Sequence, residues 1–159
     1  MKVYDELVIY YDDEKAKLDR KEKVDTLKLA NVGYALDTVD FFKRQDLDFT
    51  FDSLEIIQKL IAAMNDTLTE DVPKEKIMAF AKMFCGYISV VLLRELKGEY
   101  VSEDAEKIKD FKNGPAIEIK GTYYFILSKV YRRLTADAGD DGDNLWWYVK
   151  TIRQDVNNK

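Results

Sequence analysis

Residues 77–93 read Ile-Met-Ala-Phe-Ala-Lys-Met-Phe-Cys-Gly-Tyr-Ile-Ser-Val-Val-Leu-Leu, and the fold turns on how this stretch is read. Met78, Phe80, Met83, Phe84, Ile88, Val91 and Leu92 cannot share one face of a helix. A helix without a wet side is a central one, surrounded by other elements. Pro73 suits its first turn, because proline has no amide to leave unpaired there. Gly86, in the middle, costs about 1 kcal/mol of helix stability relative to alanine, so a neighbouring element is expected to approach it closely. Gly98 is expected to end the helix as a left-handed C′ residue. Lys82 interrupts the stretch, which is short for a bilayer span, so no membrane crossing is expected.

On the N-terminal side the periodicity is helical. Val3, Leu7, Tyr10, Tyr11 and Leu18 are spaced roughly as one helix face, although Leu-Val-Ile-Tyr-Tyr at 7–11 also reads as a strand. Leu29, Val32, Leu36 and Val39 recur at three and four, and predict an amphipathic helix ending near Phe42. Asp52 is expected to cap a third helix, with Glu55 completing a capping-box-like pair. Its stripe is Leu54, Ile57, Leu60, Ile61 and Met64, and Asn65 and Asp66 are expected to end it.

On the C-terminal side the pattern changes. Glu-Tyr-Val-Ser alternates at 99–102, with Val101 and Ser102 available as a third strand, and Asn-Gly-Pro marks a turn at 113–115. Ala-Ile-Glu-Ile-Lys and Thr-Tyr-Tyr-Phe-Ile-Leu flank a Lys-Gly pair and predict a hairpin. Residues 128–134 read as a short helix, and Asp143 is expected to cap a last helix running to about Asp155. A helical part with a central buried helix, then a small antiparallel sheet of two to four strands and a closing helix, is the α+β class. The 159 residues fit one domain.

Composition narrows the function. Cys85 is the only cysteine, which rules out an intramolecular disulfide, and its apolar neighbours suit a buried structural thiol in a reducing cytoplasm. The start of the chain lacks the apolar core of a secretory signal. A formal charge of −5 without a basic cluster argues against nucleic acid and suits a basic protein partner. There is no histidine, which removes the commonest general base and the commonest metal ligand. No phosphate-cradling glycine motif occurs, and no cofactor is expected. Carboxylate-only chemistry stays open, though acids are too frequent here for any pair to be specific.

The acidic loop Asp137-Ala-Gly-Asp140-Asp141-Gly-Asp143-Asn144 resembles a calcium loop only in part. Gly142 stands at the sixth position, but Gly139 at the third has no side chain to donate and Tyr148 stands at the twelfth. Acids feeding a helix N-terminus are the favoured reading. In Leu145-Trp146-Trp147-Tyr148, the inward stripe is Leu145, Tyr148, Val149 and Ile152, with Trp146 beside it. Trp147 falls on the far side with Lys150 and Gln154. Either the N-terminal segment or a loop covers it, which weighs a little more, or it is an exposed anchor for a partner. Arg132 and Arg133 are expected to pair with acids at 137–143 rather than clamp an anionic ligand.

Several C-terminal motifs carry a resemblance. They are Gly-Tyr-Ile-Ser-Val-Val-Leu-Leu-Arg-Glu-Leu-Lys-Gly-Glu-Tyr at 86–100, Gly-Pro-Ala-Ile-Glu-Ile at 114–119, Leu-Ser-Lys-Val-Tyr-Arg-Arg-Leu at 127–134 and Asp-Asn-Leu-Trp-Trp-Tyr at 143–148. Together they resemble small bacterial α+β proteins of the toxin-immunity type, over about residues 80–150. The resemblance implies no catalytic residue. The resulting expectation is a cytoplasmic, non-catalytic protein-binding protein that neutralises a toxin or regulates another basic partner. Its contact residues would be Asp137, Asp140, Asp141, Asp143 and Trp147. The alternative is a carboxylate-dependent hydrolase or small-ligand binder with its pocket between the central helix and the sheet.

Overall fold

The computed structural model describes residues 2–101, 116–137 and 144–159. The described elements run α1 (Val3–Asp19), α2 (Thr26–Phe42), α3 (Ser53–Thr67), α4 (Lys74–Leu96), β1 (Glu99–Val101), β2 (Ala116–Ile119), β3 (Thr122–Tyr124), α5 (Ile126–Thr135) and α6 (Leu145–Asn157). The architecture is α+β, with a three-stranded antiparallel sheet in the order β1-β2-β3. The ambiguous stretch at 7–11 is helical, inside α1.

α4 is the axis. It packs against α2, α5, α6 and β2, and every residue from 84 to 92 is buried. At 23 residues it is longer than its apolar stretch suggested, and an 18-residue window with a mean hydropathy of 1.7 is long and apolar enough to cross a membrane. In this fold just over half of that window is covered by other elements. Gly86 is where α2 comes closest. A Cβ there would lie 2.6 Å from the Asn31 carbonyl oxygen and 2.6 Å from the Tyr34 Cβ. The contact is pinned by Thr38, whose hydroxyl lies 2.8 Å from the Met83 carbonyl and 2.9 Å from that of Tyr34, so one proton serves both.

The connection from α2 to α3 also enters the core. Leu47, Phe49 and Phe51 are buried at alternate positions, although no strand forms there. Phe49 has φ 64°, a left-handed conformation that is unfavourable for a bulky residue. Tyr87 of α4 holds it in two ways. The rings stack with centroids 4.7 Å apart, and the Phe49 amide donates to the Tyr87 hydroxyl at 2.9 Å. That hydroxyl lies 2.7 Å from Ser53 Oγ, which lies 2.6 Å from the Thr50 carbonyl. Only one direction satisfies every group: Phe49 N–H to Tyr87, Tyr87 to Ser53, Ser53 to Thr50.

Five local expectations need correction. Asp52 makes no side-chain cap, because its backbone is already helical (φ −63°, ψ −26°). The amides of Ser53, Leu54 and Glu55 find the carbonyls three residues back, which leaves the carboxylate nothing to cap. α3 also continues past Asn65 and Asp66 to Thr67. The left-handed residue after α4 is Lys97 (φ 56°), not Gly98. Gly98 is required for space, since a Cβ there would collide with the Glu118 carbonyl oxygen of β2. The hairpin turns at Lys120 (φ 48°) and Gly121 (φ 85°), both left-handed as a two-residue I′ turn demands. Its second strand stops at Tyr124, so Ile126 and Leu127 belong to α5. Finally, α6 is capped by Asn144 rather than Asp143, which lies outside the described residues. The Asn144 side chain accepts from the Trp147 amide at 2.9 Å.

Candidate functional site

α6 is built from its inner face outward. Leu145, Val149, Ile152 and Val156 are buried, at spacings of three and four. Its N-terminus is held by two side chains, Asn144 and the buried Gln58 of α3, whose Oε1 accepts from the Leu145 amide at 2.6 Å. With that face and that end fixed, the 100° step per residue turns Trp147 outward, and it is 65% exposed. The covered arrangement weighed from the sequence is therefore not the one adopted. Trp146 lies against the core edge, 5.6 Å from the Phe51 ring. The Lys150 ammonium sits 5.1 Å over Trp146, and the Arg153 guanidinium 3.9 Å over Phe51. Trp147 thus stands beside a ridge of alternating rings and cations.

The acidic half of the expected surface is represented by Asp137 alone, which is exposed; Asp140, Asp141 and Asp143 lie outside the described residues, as does the turn at 113–115. Asp137 and Trp147 bracket the ends of α5 and α6, but the charges beside the tryptophan on α6 itself are basic. Of the acids at 137–143 expected to pair with Arg132 and Arg133, only Asp137 is among the described residues. Arg132 is exposed, whereas Arg133 is 7% exposed and its Nε has no hydrogen-bond partner among the described residues. Neither arginine forms an ion pair with Asp137, the one acid of that segment described.

A second feature is formed by other elements. α1, the start of α2, the end of α4 and β1 surround an open groove of about 620 Å³. Its apolar lining comes from Leu7, Val32, Val90 and Leu93, and its rings are Tyr10 and Tyr100. Its carboxylates have partners or face outward. Glu6 pairs with Arg94 at 3.4 Å, Asp25 caps α2 by accepting from the Lys28 amide at 3.0 Å, and Glu99 is exposed. The Lys28 ammonium lies 4.6 Å over the Tyr10 ring. Burial is the main cause that pushes the Tyr10 hydroxyl up to about 12, with Glu14 and Asp25 adding to it; burial raises Tyr100 further still. Both hydroxyls therefore keep their protons at neutral pH. The groove touches the end of the central helix and the first strand, where a ligand pocket was expected, but two of its walls are α1 and α2. Nothing in the spacing of Tyr10, Lys28, Arg94 and Tyr100 announces it, because tertiary packing brings them together.

Cys85 is buried, 3.8 Å from Ser89 Oγ, and burial pushes its thiol up to about 12, so it is a packed thiol rather than a nucleophile. Comparison with protein-family models, with curated proteins and with solved structures finds no match to this chain.

Proposed function

We propose that this chain is a non-catalytic binding protein that meets a protein partner with the N-terminal end of α6, with Trp147 as the anchor. The observation that carries the proposal is the exposure of Trp147 on a helix whose other face is fully buried. An indole left in water has apolar area to bury against a partner, and tryptophan is enriched among residues that dominate binding energy. The ridge beside it is held in place: Phe51 is buried, and Arg153 and Trp146 pack on it. A fixed anchor loses little freedom on binding. The net charge of −5 suits a partner of opposite sign over the chain as a whole, while Lys150 and Arg153 beside the anchor are basic; long-range attraction would accelerate encounter at low salt. Neutralising a basic toxin in the cytoplasm is the specific form of this reading that the C-terminal motifs suggest.

The test is a pull-down with wild-type chain and Trp147→Ala, at low and high salt, alongside thermal melts of both. The expected outcome is a partner retained by wild type, weakened by salt, and lost from a variant that melts within about 0.5 kcal/mol of wild type, as exposed substitutions usually do. Equal retention by both chains would remove Trp147 from the interface. Unfolding of the variant would make the residue structural.

A further inference from the structure

The groove between α1, α2, α4 and β1 has the attributes of a small-molecule site, independent of the α6 surface. Its volume of about 620 Å³ falls within the range of ligand pockets. The apolar part is contiguous, since Leu7, Val32 and Val90 are core residues whose groove-facing atoms form its floor. The polar part is unevenly satisfied. Glu6 and Asp25 already have partners, as described above, whereas the Lys28 ammonium has no carboxylate within 4.0 Å among the described residues. The hydroxyls of Tyr10 and Tyr100 likewise have no hydrogen-bond partner among the described residues. Among the described residues the site therefore offers Lys28, whose ammonium meets the Tyr10 ring and no carboxylate, and two neutral O–H donors above an apolar floor.

We infer that this groove binds a small amphipathic anion, with an apolar or aromatic body over the floor and its anionic head at Lys28, where Tyr10 and Tyr100 line the same groove as donors. A cationic ligand fits less well. The position over the Tyr10 ring that a cation would seek is taken by Lys28 itself, the carboxylates of Glu6 and Asp25 are engaged, and the remaining one, Glu99, is at the exposed rim. Both hydroxyls are protonated at neutral pH and can donate to an anion. A charge-assisted contact from Lys28 adds orientation to the apolar contact.

The test uses 1-anilinonaphthalene-8-sulfonate as the anionic probe and N-phenyl-1-naphthylamine, which has the same ring system without the sulfonate, as the neutral one. Fluorescence titrations are run on the full-length folded chain. The anionic probe is expected to bind saturably with one equivalent per chain. Lys28→Met, which keeps an apolar stem at an exposed position, is expected to weaken the anionic probe about tenfold and leave the neutral one unchanged, and Lys28→Glu to weaken the anionic probe further. Trp147→Ala is expected to leave both unchanged, so this site and the α6 surface stand or fall separately. Unsaturable binding, equal loss of both probes, or an anionic affinity indifferent to Lys28→Met would overturn the inference.

Discussion

Replacing Tyr87 by phenylalanine removes one oxygen from the middle of the molecule and severs a relay of three hydrogen bonds. Phe49 loses its acceptor in a place closed to water, since both residues are buried. An orphaned buried donor costs about 1–3 kcal/mol. Ser53 loses one neighbour but keeps the Thr50 carbonyl at 2.6 Å, which adds less than a further ~1 kcal/mol. The aromatic stack survives in the variant, so the stacking of Phe49 is unchanged. The sum is a loss of about 1–4 kcal/mol, or a fall in melting temperature of roughly 2–16 °C for a chain of this size. Urea unfolding followed by tryptophan fluorescence measures it, because Trp146 abuts the neighbouring Phe51. A double-mutant cycle with Ser53→Ala should show that the second change costs less once the first is made. A loss below about 0.5 kcal/mol would mean that the left-handed turn at Phe49 is held by something other than this hydroxyl.

Two further outcomes follow from the same core. Gly86→Ala is expected to destabilise by about 1–3 kcal/mol despite alanine's better helix propensity, because the added carbon meets α2 backbone at 2.6 Å. Gly33→Ala, whose added carbon meets only the movable edge of the Tyr11 ring at 3.0 Å, is the control and should be neutral or mildly stabilising; equal losses at both sites would refute the close-approach argument. Alkali should unfold the protein early. Burial pushes Cys85 from its ordinary 9, and Tyr87 and Tyr148 from 10, up to about 12. The folded chain therefore holds these protons more tightly than the unfolded one. Their contribution is complete below pH 9, declines from there for the thiol and from pH 10 for the phenols, and is gone above about 12. Melting temperatures that stay level from pH 8 to 11.5 would contradict this.

The sequence revealed those parts of the fold in which local pattern and tertiary role agree. Residues 77–93 announced a central helix because no single face could hold their side chains, and the runs on either side of Lys120-Gly121 announced a hairpin because both are rich in β-branched and aromatic residues. The errors arose where a tertiary neighbour decided the outcome. Asp52 has the chemistry of a cap, but the chain is already turning when it arrives there. Gly98 has the look of a helix terminator, but it is needed to pass beneath a strand carbonyl. Asn65, read as a helix ender, instead donates to the Leu134 and Ala136 carbonyls and closes the end of α5. The exposure of Trp147 could be posed as a question from the helical angle, but its answer required the positions of α3 and the loops. The groove had no sequence signature at all, since Glu6 and Arg94 meet only after α1 has docked.

α1 holds only Leu7 in full burial; Val3, Tyr4, Val8, Tyr10 and Tyr11 are half-covered, and Ile9 and Leu18 are exposed. A helix attached this lightly opens at a fraction of the free energy needed to melt the whole chain. Because α1 forms one wall of the groove, whatever occupies that space would be bound only by the closed arrangement, and would fasten the N-terminus to the rest of the molecule as it did so. Amide protons along α1 would then exchange more slowly with solvent, and the occupant would be felt as far as the turn that leads into α2.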